Sequence, residues 1–210
     1  MNGGTTMLNA LKNQLKVMAA DPNDPYTATI RKLVGAREAV HYEGPLRRMI
    51  LAMPSMIAQI RGWFSEFESP APSRRLHGFA MAYLYSPDDL LPEHSLGLFG
   101  YLDDAYLVAK VYHRRMLEAD STGLWPFPED EKLSQEVPQW IDLSKQLLPE
   151  ETATMDRMLD AATQKRDGNF AELLSQAAKG GKTVRRLERR HVRPSSPAPR
   201  NSPSKVLSQK

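Results

Sequence analysis

Cysteine is absent from the 210 residues, so neither a disulfide framework nor a thiolate metal site is open to this chain. That absence fits a reducing cytosol. Long apolar runs are missing too: Met49 to Ile60, the longest uncharged apolar stretch, is closed by Arg48 and Arg61 and falls short of the roughly twenty residues a spanning helix needs. No transmembrane segment is predicted. The opening MNGGTTMLNALKNQ lacks the basic onset, apolar run and small-residue cleavage site of a secretory leader, and a cytoplasmic location is expected. There is no Gly-x-Ser-x-Gly elbow, no Gly-x-x-x-x-Gly-Lys phosphate loop, no dinucleotide-binding glycine pattern and no repeated Glu-x-x-His of di-iron bundles. A familiar enzyme is therefore not expected, and no cofactor is predicted.

Period-two alternation and β-branched runs are scarce, whereas apolar residues recur at three and four, so the fold class is all-α. Thr5 or Thr6 is expected to cap a first helix that ends near Ala20 at the double-proline break Asp21-Pro22-Asn23-Asp24-Pro25. A second helix follows over about Tyr26 to Tyr42. Gly44-Pro45 is expected to open a third, with Leu46, Met49, Ile50, Met53, Ile57, Ile60, Phe64 and Phe67 on one face and a kink at Pro54. That face is predicted to be core. Ser69-Pro70-Ala71-Pro72-Ser73 reads as a linker, and further helices are predicted from about Arg74 to Tyr85 and Tyr101 to Ala119. Gly123 to Pro128 reads as an aromatic strap, followed by helices at about Glu136 to Leu147, Pro149 to Thr163 and Asn169 to Ala178 and a hinge at Gly180-Gly181. The predicted organisation is N-terminal helices over 1–68, a helical hairpin over 69–122 packed with them as one compact domain, a C-terminal helical subdomain over 123–178, and a disordered basic tail over 179–210.

Between the hairpin helices lies AYLYSPDDLLPEHSLGLFGYLDDA, Ala82 to Ala105. Ser86 and Asp89 have capping-box spacing, Pro87 preorganises a first turn and Pro92 ends it, while Asp103 and Asp104 open the return helix, whose dipole favours acids. Capping chemistry thus accounts for these residue types. The stretch resembles the signature of the YkvA family, a small helical domain of unknown function, through Ser86, Pro87, Asp89, Leu90, Leu91, Pro92 and Glu93, then Gly100, Tyr101, Leu102, Asp103 and Asp104. The resemblance implies a YkvA-like helical hairpin at the centre of the fold. Glu93, His94 and Ser95 stand where that family usually carries Asp and an apolar Phe-Ile-Pro, which argues against a hairpin tip inserting into a bilayer.

The same acids offer an alternative. Asp88, Asp89, Glu93, Asp103 and Asp104, converging at the hairpin mouth, would supply the clustered carboxylate oxygens that hard divalent cations want, and a metal-binding, hydrolytic domain would use Asp88, Asp89, Asp103 and Asp104. His77, His94 and His113 lie near the motif but are read as surface or interhelix hydrogen-bonders.

Charge is sharply segregated. From Lys179 to Lys210 ten Lys or Arg face the single Glu188, a net +9, which leaves −6 for residues 1–178 within the chain's total of +3. Lys182, Arg185, Arg186, Arg189, Arg190 and Arg193 form the candidate binding arm, a segment too short to be a stable helix alone in water. No helix-turn-helix, zinc finger or aromatic stacking platform accompanies it, so sequence-specific nucleic-acid readout is not expected. The expected function is a non-enzymatic helical interaction or adaptor protein whose arm docks on a protein partner or an anionic membrane surface, placing it in the cytoplasm or at the inner membrane face.

Overall fold

The computed structural model describes residues 3–66, 71–86, 90–121 and 131–164. Among them the fold is built of helices joined by short connections, and no strand occurs. The order is α1 (Gly3–Ala20), α2 (Tyr26–Val34), α3 (Ala36–Glu66), α4 (Ala71–Leu84), the single turn α5 (Glu93–Leu96), a 3-10 turn (Gly97–Tyr101), α6 (Leu102–Ser121), α7 (Glu131–Leu147) and α8 (Pro149–Thr163). α6 sits at the centre against α3, α4, α7 and α8, while α1 and α2 pack on α3 and on the 3-10 turn. Tyr101 to Ala109 are all buried, Asp103 and Asp104 among them.

The expected face of α3 is core: Leu46, Met49, Ile50, Met53, Met56, Ile57 and Ile60 are each at most 1% exposed. Trp63 is buried and Phe64 half-buried, while Phe67 lies outside the described residues. The start of this helix differs from expectation. α3 runs unbroken through Gly44, Pro45 and Pro54, and the break falls at Gly35, whose φ of 91° is a conformation only glycine takes readily. Two interior prolines cost about 3 kcal/mol each by propensity, yet each large apolar side chain buried on this face returns about 1.5–3 kcal/mol. Seven such side chains outweigh two prolines. Tyr26 Oη adds a bond to the Glu43 carbonyl at 2.9 Å, tying α2 to α3 beside Gly44-Pro45.

Other boundaries shift for local reasons. α1 begins at Gly3, so Thr5 and Thr6 lie inside it and not at its cap. The second half of the expected linker, Ala71 to Ser73, is the first turn of α4, where Pro72 is tolerated because first-turn amides have no intrahelical acceptor. α7 starts at Glu131 and passes through Pro138, whereas α8 begins with Pro149 in its first turn as expected. Ser144 Oγ donates to the Trp140 carbonyl at 2.8 Å and Thr152 Oγ1 to the Leu148 carbonyl at 2.7 Å, which satisfies both hydroxyls inside the core. The aromatic strap, the Asn169–Ala178 helix, the Gly180-Gly181 hinge and the basic tail lie outside the described residues.

Candidate functional site

The connection from α4 to α6 turns on one carboxylate. Asp103, in the first turn of α6 and 2% exposed, accepts through Oδ2 from Tyr83 Oη at 2.8 Å, the Leu90 amide at 3.1 Å and the Leu91 amide at 3.2 Å. Its Oδ1 accepts from the Asp104 amide at 3.1 Å. Tyr83 Oη in turn accepts from the Leu90 amide at 3.1 Å. A chain that must reverse between two buried helices leaves main-chain donors in the interior, and Asp103 supplies their acceptor. Burial pushes the Asp103 carboxyl up from 3.8 to about 7, against the lowering effect of the bonds from Tyr83, Asp104 and Leu90. Burial, reinforced by Asp103 and Asp104, likewise raises the Tyr83 phenol well above its ordinary value.

Two glycines and a second aspartate lock the rest of the connection. A Cβ on Gly100 would sit 2.7 Å from the Glu93 amide nitrogen and 3.0 Å from the Pro92 carbonyl carbon, so the 3-10 turn lies directly on the start of α5. Gly97 has φ +57°, and a Cβ there would meet Asp24 Oδ2 at 2.5 Å. Asp24 Oδ1 accepts from the Tyr26 amide at 2.9 Å, starting α2, while Oδ2 accepts from the Leu98 amide at 2.9 Å. Gln14 Nε2 donates to Tyr101 Oη at 2.6 Å, which fastens α1 to the same turn.

The expected site residues therefore part company. Asp103 and Asp104, at 2% and 3% exposure, are interior, while Glu93 is half-buried at the start of α5. Ser86 is half-buried, and its amide donates to the Tyr83 carbonyl at 2.9 Å. Asp88 and Asp89, the latter the expected capping partner of Ser86, lie outside the described residues, as do Lys182, Arg185, Arg186, Arg189, Arg190 and Arg193. Among the described residues no three His, Asp or Glu side chains come together to hold a metal ion. His94 is exposed; His77 stacks on Phe64 with centroids 4.7 Å apart, and burial assisted by Arg61 holds its imidazole below the ordinary value. Burial also lowers His113, with Lys110 next in effect. The apolar residues of the hairpin, Leu90, Leu91, Leu96, Leu98 and Phe99, are core. Sequence reasoning missed Tyr83 and Asp24. Asp24-Pro25 ahead of a helix was a legible signal, since an Asp side chain readily bonds the amide two residues on.

A second polar cluster joins α6, α7 and α8. Asp156 accepts from Tyr106 Oη at 2.9 Å and pairs with Lys110 Nζ at 3.1 Å and Lys145 Nζ at 3.7 Å. Beside it an open groove of about 300 Å³ runs between α6 and α8, with Leu76 of α4 at its side. No helix among the described residues is long and apolar enough to cross a membrane. No curated protein and no solved structure is significantly similar to this chain. A family model does match: residues 74–109, which hold Tyr83, the turn and Asp103, fit the family described as a protein of unknown function, DUF1232.

Proposed function

We propose that the chain is a non-enzymatic helical interaction protein of YkvA-like type, in which the buried turn stabilises the fold and the basic arm docks on an acidic face of a protein partner. The observation that carries this reading is the segregation of charge, +9 over residues 179–210 against −6 over the remainder. Support comes also from the turn itself. Both Asp103 oxygens are taken up by donors of the same chain, so this carboxylate acts as a clasp for the Leu90-Leu91 amides. A divalent-metal, hydrolytic reading through Asp88, Asp89, Asp103 and Asp104 would have to share Asp103 with those donors and bring an ion to a carboxylate that is 2% exposed.

The arm works by many weak charge contacts, so binding should fall steeply with salt. The test compares full-length chain with a version ending at Ala178 as bait in native extract, with nuclease and detergent controls. A protein retained by the full chain, lost on truncation and released by about 0.5 M salt is the expected result. Equal recovery by both baits would sink the reading, and capture that disappears with nuclease or detergent would transfer the arm to nucleic acid or to the inner membrane face.

A further inference from the structure

The groove between α6 and α8 is closed at one end and open at the other. Asp156 accepts from Tyr106 Oη at 2.9 Å and pairs with Lys110 at 3.1 Å, which fastens the two helices at its start. Further along, Ser73 Oγ bonds Glu118 at 2.9 Å and Arg75 Nη2 bonds the Thr163 carbonyl at 2.8 Å, so the last turns of α6 and α8 meet at the first turns of α4. The two helices are therefore parallel. Arg114 and Asp160, each one turn beyond a member of the Lys110–Asp156 pair, stand at the same level on opposite walls. They make no ion pair with each other: the Asp160 carboxylate has no partner among the described residues, and Arg114 reaches only Glu118, at 3.7 Å. Between the basic wall and the acidic one lies an apolar floor of Val111 and Leu159, and Leu117 at the mouth is 57% exposed.

We propose that a second copy of this chain covers the groove, related to the first by a two-fold axis parallel to α6 and α8. Charge selects both the occupant and the operator. A two-fold in this direction keeps the direction of the helices and exchanges their sides, so α6 of each copy lies over α8 of the other at the same level. Each Arg114 then meets Asp160 of the partner subunit, and the contact is made twice. A two-fold running across the helices would instead lay α6 on α6 and set Arg114 against its own copy, and like charges in contact are costly. An unrelated partner would have to match a basic and an acidic wall separately, whereas a second copy carries both in register. The two Leu117 side chains lie level with each other beside the axis, where they cover one another and the apolar floor.

Sedimentation velocity of the full chain across the micromolar range tests this, and wild type is expected to show a monomer–dimer equilibrium. Arg114→Glu sets acid against Asp160 at both contacts, and Asp160→Lys sets base against Arg114, so each variant alone should dimerise more weakly than wild type by about tenfold or more. Mixed in equal amounts, the two variants restore both contacts and should form a heterodimer of wild-type strength. Both positions are exposed, and recovery in the mixture shows that each variant is folded. In a chain without native cysteine, Leu117→Cys should oxidise to a covalent dimer about tenfold faster than Val40→Cys, a position 71% exposed on α3 outside the groove. A wild type that stays monomeric, single variants that dimerise as wild type does, a mixture no stronger than its components, or equal oxidation rates at positions 117 and 40 would each overturn the proposal. The basic arm is unchanged in every sample, so the outcome is independent of what the arm binds.

Discussion

Replacing Asp103 by Asn leaves shape almost unchanged and isolates the charge. The amide keeps one acceptor oxygen for Tyr83, Leu90 and Leu91, but its NH2 then faces the Asp104 amide, donor against donor, which costs about 1–3 kcal/mol in a buried site. Wild type carries the opposite burden. A carboxyl raised from 3.8 to about 7 contributes stability fully below the unfolded value and loses it as pH rises through 7, about 4 kcal/mol in all. Roughly 3 kcal/mol of that loss falls between pH 5 and 8. Asp103→Asn should therefore be less stable than wild type by about 2 kcal/mol at pH 5, or 4–8 °C in Tm, should match it near pH 7, and should be the more stable by about 1 kcal/mol at pH 8. Urea unfolding followed by far-UV circular dichroism at pH 5, 6, 7 and 8 measures the gap directly. A gap that stays constant or widens with pH would refute the reasoning, because it would mean that the four donors outweigh burial and hold the carboxyl low.

Three further outcomes follow from the same region. Tyr83→Phe removes the strongest of the hydrogen bonds opposing the Asp103 rise, so it should cost about 1–2 kcal/mol and move the pH-dependent loss to higher pH in the same urea series. Gly100→Ala drives a methyl into the Glu93 backbone and should destabilise by about 1–3 kcal/mol in thermal melts; a neutral result would mean that α5 is free to move away. Asp24→Ala strips the acceptor from the Tyr26 and Leu98 amides at once and should cost about 1–2 kcal/mol, with faster amide exchange at Leu98 as its local signature.

Much of the architecture was legible because burial of helical faces leaves a periodic record. Leu46, Met49, Ile50 and Met53 announced the core side of α3, and Pro149 announced the start of α8. Proline misled elsewhere: Gly44-Pro45 carries every local mark of a helix start, yet the buried face on both sides outweighs the lost amide. Gly35 ends α2 just after a last turn holding Arg31 and Lys32, a helix stop that the residue types do carry but that the stronger Gly44-Pro45 signal overshadowed. The site met a different limit. Asp103 and Asp104 were recognisable as helix-opening acids, but the donors that Asp103 gathers are main-chain amides 12 and 13 residues away and a tyrosine 20 away. Main-chain donors have no residue type, so no spacing rule points to them.

The tether from Asp24 to Leu98 spans 74 residues and that from Gln14 to Tyr101 spans 87, which gives the fold a timetable as well as a shape. During synthesis α1, α2 and α3 are complete before any of α6 exists to cover them. At about 5–20 residues per second, the interval from Glu66 to Ser121 lasts on the order of several seconds. Throughout that time the part of α3 that α6 and α7 will cover, unlike the part that α1 and α2 pack on, has only water or a chaperone to meet. The lag weighs most on the unfinished chain, whose longest helix must wait for its central partner to be made.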